Sequence, residues 1–396
     1  MAVVGASLAG VRAVETLRRK GYDGRLVLVG AEPHLPYDRP PLSKEILAGT
    51  WDVDRLPLRR QPYDELELDL RLGRRATALD LANRQLELDD GSRVDYDGLL
   101  IATGAVPREL PGTPPLEGIH LLRTLDDALA IRAELERGPR VTIVGGGFIG
   151  SEVAASCRGR GLDVTVIEAL EAPLVRGLGL EMGRVCADMH RQEGVDVRCG
   201  VGVEGFDGSE RVERVRLSDG SEIPADLVVV GIGVVPATDW LASSGLALDD
   251  GVLCDATCTT RAAGVLAAGD VARWVHPLFN EPMRVEHWTN AVEQGVAAAE
   301  NLLAGPDAAR PFASVPFVWS DQYGVKIQVA GHIRPDDDMK LVSGSVADRK
   351  FTALYGRDGQ LSGVLAFSRP RDVIRYRQKI AEGMSWEDAL ADGATS

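Results

Sequence analysis

One local pattern occurs twice in this chain, and it leaves few architectures open. Ala2-Val3-Val4 is a short apolar run ending in Gly5-Ala6-Ser7-Leu8-Ala9-Gly10. An amphipathic segment, Val11 to Arg19, follows, then a second apolar run, Leu26 to Gly30, and Glu32 stands 22 residues beyond Gly10. About 140 residues later Val141 to Val144 leads into Gly145-Gly146-Gly147-Phe148-Ile149-Gly150, a helical stretch, Val164 to Ile167, and Glu168, 18 residues past Gly150. Strand, glycine turn, helix, strand and acid, in that order, make a dinucleotide-binding βαβ unit. The first glycine of each copy permits the tight turn, and the last lets the helix lie close on the strand. The helix N-terminus between them offers free N–H groups to a pyrophosphate. Either copy alone could be a glycine turn that merely packs a helix on a sheet; two copies imply two nucleotide cofactors.

One position departs from the pattern. Ser7 takes the place of the middle glycine, where backbone and phosphate approach most closely, and it reads as a tolerated variant because it is small and its hydroxyl can bond a phosphate oxygen. No arginine follows the second acid immediately (Ala169-Leu170-Glu171), so Glu168 should favour a free ribose 2′-OH, hence NADH over NADPH.

The duplication extends further. Residues 65 to 97 read as a small antiparallel meander and 195 to 223 as a second, each followed by a buried strand ending in a small-residue turn: Gly98 to Gly104, closing on Ala102-Thr103-Gly104, and Asp226 to Gly233, closing on Gly231-Ile232-Gly233. Three prolines in Pro36 to Lys44 preclude a regular helix and predict a rigid loop presenting Arg39 and Lys44, either as solvated charges or as cofactor contacts. Asp126-Asp127 should open a helix over 125 to 135, and Val265 to Ala268 delivers Gly269-Asp270 at a strand end. Residues 286 to 303 start irregular and become helical. Beyond Pro316 the texture turns β-rich to 367, with a final helix from about Asp372. The expected fold is α/β, two Rossmann-like domains and a C-terminal α+β domain.

Composition narrows the chemistry. A net charge of −15 argues against nucleic acid or an anionic membrane as a general partner. No apolar run is long enough to span a bilayer, and Met1 leads straight into a strand with no leader visible, which predicts a cytoplasmic protein. The five cysteines (157, 186, 199, 254, 258) are scattered and odd in number, so a disulfide framework is not expected. Cys254 and Cys258 invite a metal reading but lack a companion pair at ligand spacing, which favours incidental thiols, and no metal is expected. No Cys-x-x-Cys occurs, and no cysteine precedes Cys157, which removes a dithiol mechanism.

Taken together, these residues resemble the flavoprotein ferredoxin reductases that supply oxygenases. The resemblance runs nearly end to end, through Pro36 to Lys44, Ile101 to Gly104, Leu122 to Leu125, Gly145 to Glu152, Thr260 to Asp270, Val285 to Ala291 and Trp319 to Tyr323. It implies a glutathione-reductase-like fold with an FAD domain in two parts (1–108 and 238–312), an inserted NAD domain (109–237) and a C-terminal interface domain (313–396). FAD would be bound by Gly5, Ser7, Leu8, Ala9, Gly10, Glu32, Arg39, Ala76, Ala102, Thr103, Gly104, Arg123, Gly269, Asp270, Glu286, His287 and Trp288. NADH would be bound by Gly145, Gly147, Phe148, Ile149, Gly150, Glu168, Gly231, Ile232 and Gly233, with Trp319 walling the nicotinamide entry. Lys44 would sit near flavin N5 and pair with Glu152; the plainer alternative is an ordinary structural ion pair. His190 has no visible partner.

The same resemblance implies hydride transfer from NADH to the flavin and single-electron release to an iron–sulfur ferredoxin serving an oxygenase of cytochrome or Rieske type. The cluster Arg369, Arg371, Arg375, Arg377 and Lys379 would steer that acidic partner, unless it is simply a solvated helical face. Two alternatives share the fold: an NADH oxidase, quinone or monodehydroascorbate reductase, and an NADH-sensing interaction protein like apoptosis-inducing factor. Either a monomer or a homodimer is compatible.

Overall fold

A computed structural model describes residues 1–394. They form two compact units, one of residues 1–38, 56–106 and 235–316, the other of residues 39–55, 107–234 and 317–394.

The first unit is built on a parallel sheet whose strand order is Val265–Ala267, Leu99–Ile101, Ala2–Val4, Leu26–Gly30, Leu68–Leu72. Ala2–Val4 and Leu26–Gly30 are buried along their whole length, as expected for central parallel strands covered on both faces. Helix Leu8–Arg19 covers one face with Leu8, Val11, Val14 and Leu17, and helix Trp288–Ala304 lies directly on it. Gly295 makes that approach possible, since a Cβ there would stand 2.5 Å from the Ala9 carbonyl oxygen. An antiparallel meander, Ala76–Asp80, Gln85–Leu88 and Arg93–Asp95, covers the other face. It is shorter than the 65–97 reading: Leu68–Leu72 pairs in parallel with Leu26–Gly30 and so completes the main sheet.

The second unit repeats the plan. Its parallel sheet runs Asp196–Cys199, Val164–Glu168, Val141–Val144, Leu227–Val230, Ile119–Leu121. The expected meander again begins late, at Val203, because Asp196–Cys199 pairs in parallel with Val164–Glu168. Helix Leu125–Leu135 is opened by a capping box in which Thr124 and Asp127 bond each other's backbone N–H, worth about 1 kcal/mol. Residues 317–367 form one antiparallel sheet, ordered Phe317–Gln322, Val325–Gly331, Gln360–Phe367, Lys350–Arg357, Asp338–Ser345. Helix Val175–Gln192 packs Leu178, Met182, Cys186 and Met189 against Ile327, Phe351 and Phe367 of that sheet in a single core. The terminal helix starts at Pro370, two residues earlier than read, and a further helix, Trp386–Ala394, had no distinct signal.

Candidate active site

In each unit the glycine turn has the geometry that its sequence demands. Gly5 has φ +114°, and a Cβ there would stand 2.0 Å from the Ala102 carbonyl oxygen; Gly145 has φ +104°, with the Gly231 oxygen at 2.3 Å. A Cβ on Gly10 would meet the Gly5 oxygen at 1.9 Å, and one on Gly150 the Gly145 oxygen at 2.0 Å. Both helices therefore begin against backbone, and neither accepts a larger residue. Gly147 differs, because a Cβ built there meets nothing within 4 Å. That open cradle lies at a helix start with no side-chain cap and no acid in the first turn. The helix after Ser7 likewise carries no side-chain cap and no acid in its first turn. Two positive helix ends with no acid in their first turns fit two pyrophosphate-bearing cofactors.

The acids at the strand ends are held differently. Glu32 accepts a bond from the Tyr37 hydroxyl, whereas Glu168 accepts the Gly146 N–H at 2.7 Å and the Leu170 N–H at 2.8 Å. A carboxylate has about four acceptor positions, so the two bonds to Glu168 leave it capacity for ribose hydroxyls. Elsewhere in the first unit Thr103 donates to the Ala237 carbonyl at 2.9 Å, and the Gly269 N–H donates to Gln294 at 2.8 Å. The backbone carbonyl of Asp270 accepts from Arg284, which also bonds Glu286. His287 is the N-cap of helix Trp288–Ala304. Trp288 is fixed by its indole N–H donating to Asp38 at 2.7 Å, and Ala76 is buried at the start of the meander.

The second unit contains the chemically most loaded cluster. Arg39 donates to the Arg123 carbonyl at 2.6 Å, and a 3₁₀ turn over Pro40–Ser43 follows within the proline segment read as a rigid loop. That turn delivers Ser43 and Lys44 to Glu152, which is only 3% exposed. Lys44 Nζ lies 3.1 Å from Glu152 Oε2, and the Ser43 hydroxyl donates to the same oxygen. From strand Phe317–Gln322 the Ser320 hydroxyl donates to Oε1 at 2.8 Å. Desolvation pushes the Glu152 carboxyl above the usual carboxylate range; Lys44 and the hydroxyls of Ser43 and Ser320 pull in the opposite direction. Ser43, Ser320 and Gln322 were not singled out as site residues from sequence. The one signal was proximity to recognised segments, Ser43 beside Lys44 and Ser320 beside Trp319. Trp319 itself stacks on Phe317 with ring centroids 6.1 Å apart. Phe148 and Ile149 open the helix that carries Glu152, and Ile149 is 46% exposed.

The remaining groups narrow the chemistry. All five cysteines are free. Burial raises the thiols of Cys157, Cys186 and Cys254 to about 12, and Cys258 further still, so these four stay protonated and poorly nucleophilic. Among the described residues no cluster could hold a metal ion, and no helix is long and apolar enough to cross a membrane. In the basic cluster, Arg369 pairs with Asp372, while Arg375 and Lys379 share Asp392. Arg371 is exposed with no ion pair among the described residues.

The chain matches known proteins over nearly its whole length. The family described as pyridine nucleotide-disulphide oxidoreductase matches residues 1–295, and a reductase C-terminal family matches residues 317–396. The chain is 37% identical over 395 residues to the ferredoxin–NAD(+) reductase component of the anthranilate 1,2-dioxygenase system of Burkholderia cepacia, covering 98% of this chain and 96% of that one. It is 36% identical to rhodocoxin reductase of Rhodococcus erythropolis, covering 96% and 89% respectively. It also superposes with a TM-score of 0.92 and 33% identity on a chain in the crystal structure of the covalent putidaredoxin reductase–putidaredoxin complex, covering 97% and 93%. Two parallel nucleotide-binding sheets, an antiparallel C-terminal sheet and likeness over almost the whole length lead to one conclusion: the chain is an oxidoreductase of the pyridine nucleotide-disulphide oxidoreductase family, whose members typically bind FAD and use NAD(H).

Proposed function

We propose that this protein is an NADH-linked, FAD-containing ferredoxin reductase that feeds electrons to an oxygenase through an iron–sulfur ferredoxin. The observation that carries the reading is the buried Lys44–Glu152 pair, set on the helix that follows the second glycine turn in a chain whose most buried thiols are unfit for redox work. A relative matched over nearly its whole length is named as a ferredoxin–NAD(+) reductase component, which supports the choice of acceptor.

When bound, the flavin supplies two-electron uptake from a nicotinamide and one-electron delivery onward. The turn from Gly5 to Gly10 and the N–H groups after it would hold the FAD pyrophosphate, with Glu32 on the ribose; Arg39, Thr103, Arg123, Asp270 and Trp288 would fix the rest. Gly145 to Gly150 and Glu168 would do the same for NADH, and the segments 1–108 with 238–312, 109–237 and 313–396 would be the corresponding domains. Lys44 would hold a positive charge where negative charge develops, in a site dry enough for it to count. Glu152 keeps that ammonium in position. Five free cysteines suit a reducing compartment, the cytoplasm.

Steady-state NADH oxidation by the FAD-loaded protein, with and without a 2Fe–2S ferredoxin and with cytochrome c as terminal acceptor, tests the reading. Strong stimulation by ferredoxin is expected; fast NADH consumption indifferent to ferredoxin would mean a small-molecule acceptor. Within the basic cluster Arg371 is the position to probe, and Arg371→Glu should slow ferredoxin reduction more at low salt.

A further inference from the structure

Three polar side chains behind Ser320 take no part in the chemistry above, and all lie in the second unit. Ser320 has one hydroxyl proton, and it goes to Glu152 Oε1 at 2.8 Å. Its oxygen in turn accepts Gln322 Nε2 at 3.0 Å. On the far side, His190 Nδ1 and the Tyr323 hydroxyl are 2.7 Å apart. Ser320 is 0% exposed, and Gln322 and His190 are each 1% exposed. Tyr323 sits half-buried in the two-residue turn before strand Val325–Gly331, with φ +53° followed by Gly324 at +75°, where the chain reaches the surface.

Two atoms complete the series. Gln322 Oε1 and His190 Nε2 are both buried and make no other hydrogen bond. They close no hydrogen bond with each other, but Tyr323, whose hydroxyl bonds the other nitrogen of the ring, directly follows Gln322 in the chain. One is an acceptor, and the other is a donor once the Tyr323 hydroxyl donates to Nδ1. Burial pushes His190 down to about 4, so the ring is neutral with its single N–H free to point at Gln322.

We propose that Tyr323, His190 and Gln322 form a hydrogen-bond series in which every donor points toward Glu152, and that they are positioning residues holding Ser320 on the carboxylate and so the carboxylate on Lys44. The series polarises and orients; it does not conduct protons, because an amide nitrogen at Gln322 cannot pass one on without becoming an imidic acid. Buried donors aligned in one direction strengthen one another, and the last of them meets a charge. The charged groups around it are few. Among the described residues Lys44 is the charge that acts on Glu152, while Glu193, Arg158 and Arg349 surround the Tyr323 end. On strand Phe317–Gln322 Asp321 is engaged with Lys326.

The importance of this series rests on the role given above to Lys44 and Glu152, but its test does not require any acceptor protein. The proton affinity of Glu152 is read in the FAD-loaded full chain from its carboxyl infrared band across pH, assigned by loss of the band in Glu152→Gln. Gln322→Leu should raise that affinity about threefold to tenfold, because the Ser320 hydroxyl that bonds the carboxylate loses the donor on its own oxygen. Tyr323→Phe, at the half-buried end, should raise it about twofold to threefold, as an effect passed through two intervening bonds. A Glu152 titration unchanged in both folded variants would overturn the proposal. If Gln322→Leu does not fold, the Tyr323→Phe titration decides alone, and a ferredoxin-indifferent enzyme with the expected shifts would leave this inference standing.

Discussion

At the second position after Gly5 stands Ser7 with φ −115°; at the second position after Gly145 stands Gly147 with φ −72° and open space where a side chain would be. The glycines that open the two turns are alike, Gly5 at φ +114° and Gly145 at +104°. The outer glycines of each turn face a carbonyl oxygen at about the same short distance, and the oxygens come from corresponding places, Ala102 and Gly231. Two residues past the last glycine the copies diverge further. Arg12 is 30% exposed and pairs with Glu15 at 2.8 Å on the first helix, while the corresponding residue of the second helix is the buried Glu152. The repeated fold thus constrains the positions where backbone meets backbone and leaves the rest free to specialise. Residues 39–44 and strand Phe317–Gln322 bring a lysine and two hydroxyls onto the second helix and turn that position into a charged interior site.

The largest expected effect tests the shared part. Gly10→Val and Gly150→Val should each cost more than about 4 kcal/mol, because the added Cβ would overlap a carbonyl oxygen that cannot move without the turn. Thermal unfolding or soluble yield reports this, and a Gly150→Val protein that melts like its parent would break the equivalence of the two turns. Next comes the specialised helix position. Glu152→Gln should slow flavin reduction by NADH about tenfold to a hundredfold, whereas Arg12→Gln should leave it within about twofold. The parent's rate should also fall as pH drops through the raised pKa of Glu152, since protonation removes the charge facing Lys44; stopped-flow traces of Glu152→Gln should lack that acidic limb.

A smaller contrast concerns the middle residue. Gly147→Val meets open space, so unfolding should shift by less than about 0.5 kcal/mol, while the KM for NADH rises about tenfold as the side chain fills the phosphate cradle. Ser7→Gly should change FAD affinity by less than about threefold, since serine already fits there. The smallest effect is on cofactor choice. Glu168→Gln should reduce the preference for NADH over NADPH about threefold to tenfold, measured as the ratio of kcat/KM, because the amide loses the charge that repels a 2′-phosphate. No change in that ratio would mean that Glu168 serves only its own loop, through Gly146 and Leu170.

Much of this molecule was legible in its sequence, for reasons that differ from place to place. The strand–turn–helix units were readable because a glycine with φ above +100° and a carbonyl under 2.5 Å from its missing Cβ admits no other residue. The helix start at Asp126-Asp127 and the paired small-residue turns are likewise local, set by residues a few positions apart. The meanders were read too long for a physical reason. Leu68–Leu72 and Asp196–Cys199 are short and incompletely buried edge strands, and a short run of that kind looks the same whether it joins a hairpin or a parallel sheet. Its partner, far along the chain, decides which.

The site divides along the same line. Lys44 and Glu152 were named from motifs, but the motifs are silent on what surrounds them. Ser320 lies 168 residues from Glu152 in the chain, and no spacing rule joins them. The sequence by itself determined the two turns, their helices and the strands behind them, because short-range backbone geometry selects residue types directly. Only the tertiary structure decided which carboxylate would be buried and what would sit on it, because burial depends on the elements that arrive from elsewhere to cover a face.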